Sequence, residues 1–211
     1  MSDESNSITR RTVLYGASLM SAGAVVGKLN AADAVAPSFV NLSASEANLL
    51  EAVVERLIPS DEHGPGAKEA RVANYIDRAL GDALKSSRQS YAAGLVALDK
   101  YAASSRGKPF LELSPIDRDS VLIDVETGGA TGFTGSSAQF FAMLLNHVRQ
   151  GMFGDPMYGG NVNFVGWDLL NYPGVRVAMP PDDQKALEAN QLKFVRRSVS
   201  EMGFDHEHHG D

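Results

Sequence analysis

The stretch SASEANLLEAVVERLIP, residues 43–59, predicts the fold class of this chain. Ser43 followed three residues later by Glu46 is a capping-box pattern, in which both side chains satisfy free backbone N–H groups at the start of a helix. Apolar residues then recur at helical spacing, until Pro59 ends the run because proline lacks the amide hydrogen of a helix interior. The predicted apolar stripe consists of Leu49, Leu50, Val53, Val54, Leu57 and Ile58.

Helical patterns recur through most of the remaining chain. Ser114 and Pro115 favour a helix start, serine as the cap and proline at the first helical position. No stretch alternates with period two for long enough to predict a strand. The sequence therefore predicts an all-α protein, a single compact helical domain with long Gly/Pro-rich loops. The predicted helices cover residues 43–58, 72–80, 83–103, 115–126 and 140–148, the last ended near Gly151, with a further candidate over 182–199.

Composition limits the classes of function. The chain has 211 residues, 44% of them hydrophobic and 21% charged, which is typical of a globular domain. A formal net charge of -7 argues against a nucleic-acid partner, since phosphates favour clustered Lys and Arg. There is no cysteine, so disulfides, thiolate metal sites, iron–sulfur clusters and covalently attached haem are excluded. No motif indicates a catalytic, cofactor-binding or metal-binding residue in this chain.

The N-terminus predicts an export signal. Arg10 and Arg11 directly precede a short, mildly apolar run over residues 13–26, and Ala32-Asp33-Ala34 is typical of a cleavage site. The run is too short for a spanning helix, which needs about 20 apolar residues. The arginine pair resembles the twin-arginine motif, so residues 1–34 are predicted to be a twin-arginine signal peptide. The alternative is an ordinary amphipathic helix with a chance pair of arginines.

A loop rich in glycine and aromatic residues, GDPMYGGNVNFVGW at 154–167, interrupts the helical pattern. Asp155-Pro156 favours a turn, Gly159-Gly160 allows positive φ, and asparagines bind nearby backbone. Two interpretations stay open. The loop either covers the core with Phe153, Tyr158 and Trp167, or it presents a recognition surface.

The segment GMFGDPMYGGNVNFVGWDLLNYPG, residues 151–174, resembles the C-terminal signature of the gluconate 2-dehydrogenase subunit 3 family, also called the gamma or small subunit. Residues 42–80 resemble the opening helix, Gly-Pro-Gly loop and second helix of that family, and residues 94–115 resemble its middle. The family usually continues YGGN with Arg, Asp and Gly, whereas this chain has Val162, Asn163 and Phe164. A charged contact and a flexible position are therefore lost.

The resemblance implies a noncatalytic subunit of a periplasmic, membrane-associated dehydrogenase. The partner would be a large subunit of the glucose-methanol-choline oxidoreductase type, which holds FAD and oxidises a sugar or sugar acid. A possible third subunit carries haem c. The small subunit would escort the flavin subunit through the twin-arginine translocase. Partner docking is predicted for Asp155, Pro156, Tyr158, Gly159, Gly160, Asn161, Gly166, Trp167 and Tyr172.

The predicted organisation has three parts: the signal over 1–34, a helical small-subunit domain over 35–179, and a C-terminal helix with a polar tail over 180–211. The alternative function is a free-standing periplasmic protein that binds or converts a sugar through the 154–167 loop. The histidine-rich end, residues 205–211, is interpreted as a surface tail.

Three smaller predictions concern polar residues elsewhere in the chain. Residues 61–63 are interpreted as a solvated loop, and His147 as a partly buried helix residue. Asp77 is expected to form a surface or interhelical ion pair, together with Arg71 and Arg78.

Overall fold

The computed structural model describes residues 39–176, 178–193 and 195–202. The predicted signal peptide and the histidine-rich tail lie outside the described residues. Within those ranges the chain is helical and contains no strand, which confirms the predicted all-α class for this part. Seven α-helices are described: α1 (Ala44–Leu57), α2 (Val72–Leu80), α3 (Arg88–Arg106), α4 (Pro115–Glu126), α5 (Ser137–Phe153), α6 (Val165–Leu169) and α7 (Pro181–Glu188).

The first and fourth helices begin where their caps predict. The Ser43 hydroxyl accepts a hydrogen bond from the Glu46 amide, and the Glu46 carboxylate accepts one from the Ser43 amide, at 2.8 Å. In α4, Ser114 accepts from the amide of Asp117 and Pro115 is the first helical residue. Both starts are therefore encoded locally, by side chains that satisfy backbone groups within one turn.

The core lies between α5 and the helices α1, α2, α3 and α4, which all contact it. Most of the predicted apolar stripes are buried, and the ends of several of them, such as Leu57 and Tyr101, are half-buried. The fully buried side chains include Leu50, Val53, Val54, Ile76, Leu80, Tyr91, Leu95, Leu98, Leu144 and Val148.

Several predicted helix boundaries were wrong. The helix predicted from residue 83 begins at Arg88, because the Leu84 amide binds back to the Ala79 carbonyl and residues 81–84 form a turn, followed by the 3-10 helix Lys85–Ser87. The helix predicted to end near Gly151 continues to Phe153. Gly151 does not end the helix but lets α2 approach closely, since an added Cβ there would lie 2.8 Å from the Tyr75 ring.

A further wrong boundary is in the C-terminal segment. The helix predicted over 182–199 ends at Glu188. Asn190 adopts the left-handed conformation, at φ +55°, and the Asn190 and Gln191 amides bind the carbonyls of Leu187 and Ala186. This pair of bonds is a Schellman motif, which closes a helix when the residue after its cap is glycine or asparagine.

Asp77 anchors the segment that precedes α1, so its predicted ion pair was wrong. Its carboxylate is buried and accepts hydrogen bonds from the amides of Val40, Asn41 and Leu42, at 2.7–2.8 Å. Three amide donors satisfy the buried charge without a cationic partner. The described chain is thereby tied to α2 from Val40 onward.

Candidate functional site

The two loops that resemble the family most specifically lie against each other in the fold. The backbone amide of Val162 donates to the carbonyl of Ala70, at 3.4 Å. An added Cβ on Gly64 would lie 2.7 Å from the side chain of Leu169, so the Gly-Pro-Gly turn at 64–66 contacts α6. Residues about 100 positions apart in the sequence therefore form one site. We call the loops at 59–71 and 154–172 the paired loops.

The first of the paired loops is held by side-chain bonds to its own backbone. The hydroxyl of Ser60 donates to the Glu69 carboxylate, at 2.6 Å, and the Gly66 amide donates to both side chains. The bond from Ser60 lowers the pKa of Glu69 below its usual value. The charged carboxylate is thus an internal brace of this turn.

Asn161 organises the second loop from inside. Its side chain is buried, its Nδ2 donates to the Gly154 carbonyl at 2.8 Å, and its Oδ1 accepts from the Gly166 amide at 2.8 Å. Its backbone is left-handed, at φ +45°. Both ends of the amide are engaged, so Asn161 joins the start and the end of the loop, and because it is fully buried it presents no amide atom to a sugar hydroxyl.

The glycines of the loop have two different roles. Gly159 has φ +97°, as the prediction of positive φ requires, and it sits beside the guanidinium of Arg78. Gly160 does not have a positive φ, so the prediction of positive φ was wrong for Gly160. Gly160 and Gly166 are needed because an added Cβ would collide with the carbonyl oxygens of Gly151 and Met152 at the end of α5. The loop therefore packs directly onto helix backbone.

Trp167 is a buried side chain that covers the end of α5. It is 3% exposed, and its Nε1 donates to the carbonyl of Phe153 at 2.8 Å. The rings of Phe164 and Tyr172 pack on it, with centroids 5.4 and 5.0 Å from the indole. A side chain covered in this way is a core residue with a satisfied N–H. The covering role considered from the sequence therefore holds for Trp167.

Phe164 has an unusual backbone for a bulky residue. Its φ is +61° and ψ is +21°, in the left-handed region that costs an L-amino acid about 1–2 kcal/mol. The resemblance of this loop to the family implies glycine at this position. Glycine would suit this left-handed backbone best, whereas Phe164 adds a ring that stacks on Trp167.

Met157 and Tyr158 project from the loop in a different way. They are 42% and 58% exposed and line a groove of about 490 Å³. Its other lining residues are Tyr75, Arg78 and Ala79 of α2, and Asp82 and Ala83 just after that helix. Burial, and to a smaller degree the neighbouring Tyr158, raise the pKa of Tyr75, whose hydroxyl donates to Gln150 at 3.0 Å.

Arg78 supplies the cationic side chain of this groove. Its guanidinium forms no hydrogen bond or ion pair within the described ranges, so the ion pair predicted for it is not formed there. Arg71 likewise has no paired side chain among these residues.

The other residues predicted to dock a partner have different surroundings. The carboxylate of Asp155 caps the short 3-10 helix Pro156–Tyr158 and also binds Ser198 and the amide of Val199, at 2.9 Å. Pro156 is half-buried as the first residue of that helix. Tyr172 is 41% exposed, with one edge on Trp167. Thus the side chains of Tyr158 and Tyr172 are exposed to solvent, whereas those of Asp155 and Asn161 hold the backbone of the loop in place.

Two further predictions about polar residues are resolved by the fold. Residues 61–63 are exposed, which confirms the predicted solvated loop. His147 is buried instead of partly buried, and its Nδ1 lies 3.1 Å from the hydroxyl of Tyr91. Within residues 39–202, leaving aside 177 and 194, no three His, Asp or Glu residues are placed to hold a metal ion. No helix of that part is long and apolar enough to cross a bilayer.

Sequence reasoning missed Arg78 and Ser198 as neighbours of the loop. Arg78 lies 81 positions before Gly159, and Ser198 lies 43 positions after Asp155, so no local pattern relates them. One signal was available for Ser198. Ser198 and Glu201 have capping-box spacing, and the structure forms that box at the 3-10 helix Val199–Glu201.

Comparison with known proteins supports the assignment made from these motifs. Residues 44–174 match the family Gluconate 2-dehydrogenase subunit 3. This range includes both paired loops and the helices α1 to α6. No curated protein and no solved structure shows a significant match. Because the family match covers more than half of the chain, the protein belongs to the gluconate 2-dehydrogenase subunit 3 family.

Proposed function

We propose that this protein is the noncatalytic small subunit of a periplasmic, FAD-dependent dehydrogenase complex that oxidises a sugar or sugar acid. Its family indicates a subunit of a gluconate 2-dehydrogenase complex. In the proposal, FAD and the substrate pocket belong to a large subunit of the glucose-methanol-choline type. A cytochrome c subunit takes the electrons in complexes that contain one, and the complex is associated with the inner membrane.

The groove beside Tyr158 is the proposed docking surface for the flavin subunit. One observation carries this assignment: hydrogen bonds from Ser60, Asn161 and Trp167 hold the paired loops, yet these loops leave Tyr158 58% exposed beside Arg78. Tyrosine and arginine are the residue types that most often dominate binding energy at protein interfaces. A rigid scaffold also lowers the entropy lost on binding, because the side chains are already positioned.

Export of a folded pair is the second part of the proposal. The large subunit would have no signal of its own, and Arg10-Arg11 of this chain would direct both subunits to the twin-arginine translocase. The described fold is consistent with this arrangement, since Asp77 anchors the chain at Val40, six residues after the predicted cleavage at Ala34. The amides that bind Asp77 all lie after that predicted cleavage, so these contacts would remain in the mature chain.

The test of docking is co-purification of the large subunit with a tagged Tyr158→Ala variant of this chain. Loss of an interface anchor should weaken the complex by roughly 2 kcal/mol, or about 30-fold in dissociation constant. Ile116→Ala is the matched control, because Ile116 is 80% exposed on α4, outside the paired loops. A thermal melt of each variant alone separates binding from folding. Unchanged co-purification by a folded Tyr158→Ala protein would refute docking through this groove.

A free-standing sugar-binding protein that uses the 154–167 loop is the other function considered. The contacts of that loop argue against it, because the faces of Trp167 are covered and the amide of Asn161 is engaged at both ends. Oxidation of a sugar by the isolated chain, with an artificial electron acceptor, would favour this function over the subunit proposal.

A further inference from the structure

We propose that a second groove, between α3 and the start of α5, binds a neutral polyhydroxylated small molecule such as a monosaccharide or a sugar alcohol. The groove has a volume of about 460 Å³, and it lies between the N-terminal half of α3 and the residues around the start of α5. None of its lining residues belongs to the paired loops. The inference does not depend on the proposed docking function.

The first argument is the shape of the groove. Its α3 wall uses residues 86, 89, 90, 93 and 94, and its α5 wall uses residues 136, 139, 140 and 143, so one continuous face of each segment lines it. Small residues make the space between these faces. Gly94 is buried, and an added Cβ there would collide with the ring of Phe140, so the aromatic ring lies directly on the α3 backbone.

The second argument is the chemistry of the lining. No Asp, Glu, Lys, Arg or His lines the groove, although charged residues make up 21% of the chain. Its polar side chains are four hydroxyls and two amides, and each of these groups both donates and accepts hydrogen bonds. All six side chains are exposed and none forms a hydrogen bond to another side chain within the described ranges, so each is open to water or to a ligand. They are Ser86, Gln89, Ser90, Thr134, Ser136 and Gln139.

The third argument is the aromatic wall. The rings of Phe133 and Phe140 lie 5.5 Å apart with an angle of 41° between their planes, and both line the groove. Phe140 is 7% exposed with its ring against Gly94, so the half-buried Phe133 offers the aromatic surface for the C–H groups of a sugar or polyol. The hydroxyl and amide groups are suited to its O–H groups. Most small-molecule sites combine apolar walls with a few orienting polar groups in this way.

The start of α5 provides additional unsatisfied polar groups. Ser136 is the cap residue of α5, but its side chain forms no capping bond, so the free amides of the first turn are not satisfied by a serine cap.

The test uses the purified full chain, isotopically labelled, with D-sorbitol and D-glucose as probes and amide chemical shifts as the readout. The expected result is saturable shifts at residues 89–94 and 133–140, with no shifts in the paired loops. D-Gluconate is the matched charged probe, because it differs from a sugar alcohol mainly by one carboxylate. Shifts with gluconate but with neither neutral probe would overturn the proposal, as would the absence of saturable shifts with both neutral probes.

Substitutions locate the site. Ala93→Trp should fill the groove and weaken binding of the neutral probe at least about tenfold, whereas Ala103→Trp on the exposed side of the same helix should leave it unchanged. If Ala93→Trp does not fold, the double variant Gln89→Ala with Gln139→Ala removes both amides without adding bulk. Unchanged affinity in a folded variant of either kind would refute the assignment of the groove.

Discussion

The carboxylate of Asp155 accepts a hydrogen bond from the backbone amide of Val199, at 2.9 Å, and thereby ties the loop at 154–172 to a segment 44 residues further along the chain. The same carboxylate accepts bonds from the Met157 amide and the Ser198 hydroxyl. Asp155 was predicted from the sequence to dock a partner, and its contacts show that its carboxylate is already engaged by this chain. The prediction that it contacts the partner directly stays untested.

Replacement of Asp155 by alanine should loosen the C-terminal segment. Hydrogen bonds to a charged group contribute about 1.5–3 kcal/mol each, and three bonds to one carboxylate are not additive, so we expect a loss of roughly 2–3 kcal/mol in the free energy of unfolding. Hydrogen exchange of the Val199 and Met157 amides should accelerate. Asp182→Ala, an exposed acidic residue on α7, is the control. Unchanged exchange at Val199 would contradict the role of this contact.

The left-handed backbone of Phe164 predicts different outcomes for glycine and alanine at this position. Both substitutions remove the stack on Trp167, but only glycine relieves the strain of φ +61°. Phe164→Gly should therefore be more stable than Phe164→Ala by about 1 kcal/mol, although glycine ordinarily is the less favourable residue. Chemical denaturation of the two variants measures this difference. Equal stability, or a more stable alanine variant, would show that the backbone strain is absent.

The buried pair of His147 and Tyr91 predicts a pH dependence of stability. Burial lowers the pKa of His147 below its ordinary value of 6.5, and burial raises the pKa of Tyr91, so the hydroxyl stays protonated. Because the unfolded chain then binds more protons than the folded one, stability is present above pH 6.5 and is lost as the pH falls from 6.5 through the lower folded pKa. The slope in that window is at most about 1.4 kcal/mol per pH unit.

The measurement for His147 is the free energy of unfolding of the protein and of His147→Gln across pH 5 to 7, at about half-unit steps. The free energy of unfolding of the protein should fall, relative to that of His147→Gln, as the pH falls below 6.5. His63→Gln is the control, because His63 is an exposed loop residue. A pH-independent difference between the protein and His147→Gln would contradict the prediction.

The export proposal predicts that Arg10→Lys with Arg11→Lys abolishes periplasmic delivery of both subunits, although the gene of the large subunit is unchanged. The reason is that a folded complex would have only this leader for the twin-arginine route. Dehydrogenase activity in the periplasmic fraction is the measurement. The chain offers a matched control in its other arginine pair, Arg196→Lys with Arg197→Lys. Normal periplasmic activity of the leader variant would show that the large subunit does not depend on this chain for export.

The amino-acid sequence by itself determined the helical class and several helix starts. The capping box at Ser43 and the Ser114-Pro115 start were predictable because each bond spans only three residues, and the apolar stripes were predictable because they repeat with the helix. Glycines and asparagines identified the loop at 154–167 for the same local reason. The family of the chain was also recognisable from these short motifs, and the match over residues 44–174 confirms it.

Only the tertiary structure decided what each of these residues does. Gly151 could be interpreted as a helix end, because no local pattern shows that Tyr75 of α2 packs against its backbone. The carboxylates of Asp77 and Asp155 bind amides 35–37 and 44 positions away, and Arg78 lies beside Gly159, which is 81 positions further along the chain. Such contacts depend on how the helices pack, since a buried polar group binds whichever donor the fold brings within reach.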